Sequence, residues 1–198
     1  MSPPELGAVL DEIWVALIAG RDRGKDPFHL PAVATIRDGM PHVRTVVLRG
    51  VDRAQGLLSF HTDRRSPKVG DLAASPRISW LFYAPQRKLQ LRVHGSTTVH
   101  HDDAVADEAW QNVTPLGRRC YGQALGPGSP SEGPAVELPD LRALEDADVG
   151  TLERCRRNFC VVRCRIDEID RMDLSIEGHR RSRFLRQGDT WRGAWLAP

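Results

Sequence analysis

Two short segments, Arg44-Thr45-Val46-Val47-Leu48-Arg49 and Phe60-His61-Thr62-Asp63-Arg64-Arg65-Ser66-Pro67-Lys68, carry the side chains with which a protein holds an anionic group. Each joins a strand-like apolar run to cationic or hydroxyl side chains. A phosphate needs hydrogen-bond donors and positive charge that converge from a rigid frame, and arginine supplies a planar fork where lysine supplies a point charge. Arg44, Arg65, Ser66 and Lys68 meet that need. Arg65 and Ser66 also precede a predicted short helix, whose first backbone N–H groups would add to the pull on an anion. Taken singly, each residue reads equally well as an ordinary solvated strand or turn residue. Their conjunction points to a seat for a phosphorylated cofactor.

These side chains need a frame. Residues 4–19 place Leu6, Val9, Leu10, Ile13, Leu17 and Ile18 at helical spacing, with Pro3 and Pro4 suited to a first turn. Residues 32–37 and 42–49 are β-rich runs separated by Asp38-Gly39-Met40-Pro41, the pattern of a hairpin. A third strand is predicted over 57–62, a short helix over 67–74, a fourth strand over 77–83 and a longer fifth over 88–100. Five strands in succession with short links imply an antiparallel barrel. A helix follows over 102–112 with Val105, Ala109 and Trp110 on one face, and Pro115 interrupts it. Residues 123–139 are crowded with proline and glycine and read as a surface loop or lid, either functional or mobile.

The spacing then predicts a helix over 141–156 and a half-buried strand over 159–169. In that strand Cys160, Val162, Cys164 and Ile166 fall on one side and Arg163, Arg165 and Asp167 on the other. Residues 183–186 and 190–195, joined by Gln187-Gly188-Asp189, form a closing hairpin. With no internal repeat and no dividing linker, residues 1–198 read as one domain.

Composition removes several classes of function. Lys and Arg number 28 against 26 Asp and Glu, so the net charge of +2 gives no general argument for nucleic acid, and any basic site is local. The run Ile13-Trp14-Val15-Ala16-Leu17-Ile18-Ala19 is far shorter than the roughly 20 residues a bilayer span needs. The opening Met1-Ser2-Pro3-Pro4-Glu5 lacks the basic region of a signal peptide, and a cytoplasmic protein without membrane attachment is expected. Cys120, Cys155, Cys160 and Cys164 have no C-x-x-C spacing, so no metal site is expected, and Cys160 and Cys164 read as small buried apolar residues. No Ser-His-Asp arrangement, paired acid site or reactive thiol emerges, and no residue is assigned a catalytic role.

Arg44-Thr45-Val46-Val47-Leu48-Arg49, Phe60-His61-Thr62, Ser66-x-Lys68, Ser75-Pro76-Arg77 and Gln90-Leu91-Arg92-Val93-His94-Gly95, in that order, resemble the FMN-binding split barrel of the pyridoxamine 5'-phosphate oxidase family. Arg183-Phe184-Leu185, Trp191 and the ending Leu196-Ala197-Pro198 extend the resemblance over nearly the whole chain, weakest over 113–157. It implies a mainly β fold with flanking helices: an antiparallel, Greek-key split β-barrel with peripheral helices.

The resemblance implies FMN as cofactor, with Arg44, Thr45, Val46 and Val47 on the strand along the flavin and Arg44 on its phosphate side. His61 and Thr62 would contact FMN at the end of the next strand, and Ser66 and Lys68 would hold the phosphate. Pro67 stands where the family's oxidases carry arginine, and Arg65 would compensate. Gln90 matches a glutamine that hydrogen-bonds the flavin, and Arg183 a late arginine near the isoalloxazine. The family's substrate-phosphate lysine is here Arg49, and its later Tyr, Arg and Ser set is lacking around Trp110 to Gly117. Its C-terminal Arg-x-His pair appears in opposite order as His179-Arg180-Arg181, leaving Arg49, Arg118, Tyr121, His179 and Arg181 as substrate-binding candidates.

The resemblance further implies a homodimer with FMN at the interface, where Trp80, Phe82 and Tyr83 would meet the partner or, in alternation, pack the core. An FMN-dependent oxidoreductase acting on a small molecule is the leading expectation. Non-catalytic flavin binding or sensing, true pyridoxamine or pyridoxine 5'-phosphate oxidation, and a related barrel using haem or a deazaflavin are the alternatives.

Overall fold

The computed structural model describes residues 5–134, 138–139 and 149–198. Pro3, Pro4, part of the 123–139 segment and the first half of the helix expected over 141–156 lie outside the described residues. Among the described residues no helix is long and apolar enough to cross a membrane.

Helix α1 (Leu6–Asp22) turns Val9, Ile13, Trp14, Ala16 and Leu17 into the core, and it runs three residues further than its apolar spacing predicts. Gly20 lets it close on the next turn, since a Cβ there would lie 2.6 Å from Phe28 Cβ. Strands β1 (Ala32–Arg37) and β2 (Met40–Thr45) form the expected hairpin. Asp38 and Gly39 turn it with φ of 50° and 75°, as a tight two-residue hairpin loop requires.

The second strand was expected to run on to Arg49, but β2 ends at Thr45, paired with Ala32. The next partner, Pro31, has no N–H to donate, so the ladder continues only through the carbonyls that accept Val46 and Leu48 N–H, those of Pro31 and His29. The chain then enters β3 (Gly50–Asp52), a three-residue strand too short to leave an alternation in the sequence, which pairs with β4 (Leu57–Asp63).

Helix α2 (Pro67–Ala74), β5 (Arg77–Ala84) and β6 (Leu89–His100) follow, then α3 (Ala104–Gln111), capped by Asp103, and α4 (Pro115–Arg119), capped by Thr114. Helix α5 (Val149–Asn158) leads into β7 (Phe159–Asp173), and β8 (Arg180–Gln187) and β9 (Thr190–Leu196) close the chain as a hairpin. Among the described residues, nine strands form one antiparallel sheet in the order β2-β1-β5-β6-β7-β4-β3, with β8 added on β7 and β9 on β8.

The chain forms two compact units, the first of residues 1–60, 75–98 and 163–198 and the second of 61–74 and 99–162. In the first, Trp80 and Phe82 stack with centroids 5.9 Å apart, Phe60 meets Trp80 at 5.6 Å and Phe28 meets Phe82 at 5.3 Å. Trp80 and Phe82 are therefore core residues, whereas Leu81 and Tyr83, on the other face of β5, are exposed. Gly95 of β6 is required by a close approach, since a Cβ there would lie 2.2 Å from Arg165 O. In the second unit, Phe159 lies at the centre of an aromatic group with His61 (4.9 Å), Tyr121 (5.1 Å) and Trp110 (5.2 Å).

Candidate functional site

The turn between β4 and α2 draws three of the predicted residues together in the second unit. Lys68 Nζ donates to Thr62 Oγ1 at 2.9 Å and to Ser66 Oγ at 2.6 Å, and both Thr62 and Ser66 are buried. A hydroxyl that accepts from the ammonium keeps its own proton to donate, so the trio can present O–H and N–H donors to one anion. Pro67, the first residue of α2, forgoes an N–H that a helix start leaves unpaired in any case. The helix start adds a favourable field for negative charge.

Asp63 shapes this turn. Its Oδ1 accepts the Arg65 backbone N–H at 2.8 Å, an Asx turn, and Asp63 O accepts Ser66 N–H at 3.0 Å. The Arg65 guanidinium folds back on the same carboxylate, at 2.7 Å through Nη2 and 3.0 Å through Nε, and Nη1 donates to Ala124 O at 3.0 Å. Arg65 is thus turned to Asp63 and Ala124 O. Beneath the turn, Cys160 Sγ donates to Thr62 O at 3.4 Å, and burial, reinforced by the Asp63 charge, pushes its thiol up to about 12. Burial likewise raises the Cys164 thiol to about 12, so neither is a nucleophile at neutral pH.

The flavin-strand candidates belong to the first unit. Arg44 lies opposite Val33 in the hairpin, and its Nη1 donates to the buried Thr35 Oγ1 at 2.6 Å. Thr45 is exposed, and Val46 and Val47 are half-buried. Gln90 sits half-buried on β6 opposite Tyr83, and Arg183 half-buried on β8 opposite Asp170 and Ala194. Arg49 is exposed, its backbone N–H donating to Ser59 O at 2.8 Å.

The remaining substrate candidates divide between the units, Arg118 and Tyr121 in the second and His179 and Arg181 in the first. Arg118 caps the end of α3, donating to Trp110 O at 3.2 Å with its guanidinium 5.0 Å over the Trp110 ring, and Tyr121 packs edge-on against Phe159. His179 is exposed ahead of β8. Arg181 is held by Asp170, 4 % exposed, through Nε at 3.1 Å and Nη2 at 2.8 Å, and Arg92 Nη2 reaches the same oxygen at 3.0 Å. Burial alone would raise the Asp170 pKa, but the hydrogen bonds from Arg181 and Arg92 outweigh it and hold the carboxyl below its ordinary value.

Asp63, Asp170 and Arg92 were not anticipated. The spacing Asp63-x-x-Ser66 signals the Asx turn, whereas Asp170 has no local signal, because Arg92 lies 78 residues away. Among the described residues, no group of three or more His, Cys, Asp or Glu is placed to hold a metal ion.

Comparison with known proteins is consistent across sequence and structure. The family model for the pyridoxamine 5'-phosphate oxidase FMN-binding domain matches residues 12–101. The pyridoxine/pyridoxamine 5'-phosphate oxidase of Pseudomonas fluorescens (strain SBW25) is 31 % identical over 169 residues, covering 84 % of this chain and 76 % of that protein. The protein of the same name from Pseudomonas syringae pv. tomato is 38 % identical over 169 residues, with the same coverage of 84 % and 76 %. A pyridoxamine 5'-phosphate oxidase-related FMN-binding protein from Nostoc punctiforme PCC 73102 superimposes with a TM-score of 0.72 at 25 % identity, covering 100 % of this chain and 98 % of that one. PhzG from Burkholderia lata 383, solved with tetrahydrophenazine-1-carboxylic acid, shares the fold with a TM-score of 0.68 at 23 % identity, covering 100 % and 95 %.

Proposed function

The chain belongs to the pyridoxamine 5'-phosphate oxidase-like family of FMN-binding split-barrel proteins, with FMN as its cofactor, and from that premise we propose that it is an FMN-dependent oxidoreductase acting on a small molecule. The observation that carries the reading is the contact of Lys68 with Thr62 and Ser66 at the start of α2, a donor set that fits a phosphate. When bound, FMN supplies a two-electron redox centre that accepts reducing equivalents from a substrate and passes them to an acceptor.

The chain's own residues bind and orient. Thr62, Ser66 and Lys68 hold the phosphate, with Arg44 as a further cation on the phosphate side; Thr45 to Val47 and His61 line the flavin. Gln90 and Arg183 would act electrostatically, as hydrogen-bond donors to the flavin ring. Arg65 serves by fixing the turn through Asp63.

A homodimer with FMN at the interface belongs to the same proposal. One face of the sheet carries Ile36, Val43 (67 % exposed), Leu81 and Tyr83 (48 % exposed), brought side by side by the β2-β1-β5 register, and a second copy would cover it. All four cysteines are free thiols, which supports a reducing compartment, the cytoplasm.

Pyridoxamine 5'-phosphate oxidation is the second reading, favoured by the name of the Pseudomonas relatives. Against it, Arg181 is tied to Asp170 and His179 stands apart in solvent. Anaerobic reduction of the FMN-loaded protein, followed as bleaching of the flavin bands, tests the oxidoreductase proposal. Bleaching by a small organic donor is expected, whereas a flavin that no donor reduces would leave a binding protein. Bleaching by pyridoxamine 5'-phosphate itself would promote the second reading.

A further inference from the structure

We infer that the clamp of Arg92, Asp170 and Arg181 sets the reduction potential of the bound FMN, as a fixed positive charge on the sheet face that carries Gln90 and Arg183. All five residues belong to the first unit. That role rests on the placement of the flavin ring beside Gln90 and Arg183 in the oxidoreductase proposal.

The face is assembled strand by strand. On β6, Gln90 and Arg92 alternate with the buried Leu91 and Val93, so both point away from the core. On β8, Arg181 and Arg183 alternate with the buried Ser182 and Phe184 and point outward in the same way. Asp170 of β7 lies directly opposite Arg183, and residues so paired share a face. From β6, Arg92 reaches the Asp170 carboxylate with Nη2 at 3.0 Å, and from β8, Arg181 reaches it with Nη2 at 2.8 Å and Nε at 3.1 Å. Arg92 Nε is buried and has no hydrogen-bond partner among the described residues, so that guanidinium is not saturated by the clamp.

Two guanidinium groups against one carboxylate leave a single net positive charge, with Arg183 as a further cation in the same row. A carboxylate buried between guanidinium groups stabilises a fold no better than well-packed apolar side chains of similar volume, so what the clamp adds to this face is charge. The carboxylate is 4 % exposed, whereas the Arg92 and Arg181 side chains are 40 % and 28 % exposed, which puts the positive groups outermost. A preorganised cation beside a two-electron centre favours the form that carries more negative charge. The clamp is closed to an anionic ligand, yet its field still acts on a neutral ring. Arg171, next to Asp170 in the chain, shows the contrast: it bonds Glu12 of α1 at 2.7 Å and Asp173 at 3.1 Å, and two carboxylates cancel its charge.

The test is the midpoint potential of the FMN-loaded full chain, equilibrated anaerobically with dyes of known potential, so that no substrate is needed. Arg92→Gln, which leaves the clamp without net charge, should lower the potential by about 30 mV, the two-electron equivalent of a tenfold change. Asp170→Asn, which removes the negative charge, should raise it by a similar amount, and Arg92→Lys should stay near the native value. Shifts of opposite sign follow from charge and not from disturbed packing. Arg171→Gln should move the potential much less than Arg92→Gln. Potentials that coincide in the native protein, Arg92→Gln and Asp170→Asn, or that fall together in both variants, would overturn the role of the clamp. Gln90→Leu tests the ring placement separately: a shifted flavin absorption spectrum would support it and an unaltered one would count against it. A flavin that no small organic donor bleaches would sink the oxidoreductase reading, while the signs of the two clamp shifts would still decide the clamp.

Discussion

Two regions hold cations against oxygen, and they differ in what the oxygen can do next. In the Asp63–Lys68 turn, the Lys68 ammonium donates to two buried hydroxyls, each of which retains a proton to give. In the β6–β8 clamp, Arg92 and Arg181 converge on Asp170, an acceptor with nothing to donate. The first is chemically open to an anion and the second is closed by one of its own. Cationic residues alone therefore do not mark a ligand site; the nature of their partners does. Arg65 makes the point within a single turn, since it lies next to Ser66 and is nonetheless closed by Asp63.

Substitution should separate the two regions, and the largest effect is expected at the open one. Lys68→Ala combined with Arg44→Ala should weaken FMN binding by ~1.5–3 kcal/mol for each cation removed, with riboflavin affected much less. Fluorescence titration with the two flavins reads this directly, and equal weakening of both would erase the distinction between the regions. At the closed region, Asp170→Asn should leave the FMN to riboflavin ratio intact and lower stability by about 2 kcal/mol. That figure lies below the usual range for breaking a buried pair because Arg92 and Arg181 retain access to water. Denaturant unfolding with unchanged stability would show the clamp to be inert.

The clamp also carries a pH signature. The Asp170 carboxyl is lower in the folded chain than in the unfolded one, so its contribution is present above roughly pH 4, the unfolded value, and fades as the pH falls through the folded value. Native protein should therefore lose stability on acidification more steeply than Asp170→Asn, and parallel acid limbs would contradict this. Arg65→Gln should cost about 1 kcal/mol of stability or less and change FMN affinity little, because its guanidinium is occupied by Asp63 and Ala124. A large, FMN-selective drop in affinity would return Arg65 to the phosphate. The smallest effect concerns the thiols. At pH 8 Cys120 should react promptly with a thiol reagent, and Cys160 and Cys164 only after unfolding.

The open region was legible in the sequence and the closed one was not, for a physical reason. Hydroxyls, a cation and a helix start sit within seven residues from Thr62 to Lys68, and local spacing brings them together. The hairpin at Asp38-Gly39 and the alternation of β7 are legible for the same reason, because turn chemistry and strand period act over neighbouring residues. Asp170 meets Arg92 only through sheet pairing across 78 residues. Strand β3 and the departure of the chain at Val46 depend on what Pro31 on the neighbouring strand can donate, which no window around Val46 contains. For Trp80, Phe82 and Tyr83 the alternation was visible, but which face meets the core is set by β1 and β6.

The most direct test of a phosphate-anchored FMN site is the flavin content of the purified protein after incubation with FMN and, separately, with riboflavin, read from the absorption spectrum. One FMN per chain with riboflavin largely washed away is the expected result. Protein that stays colourless with FMN, or that retains both flavins equally, would contradict it.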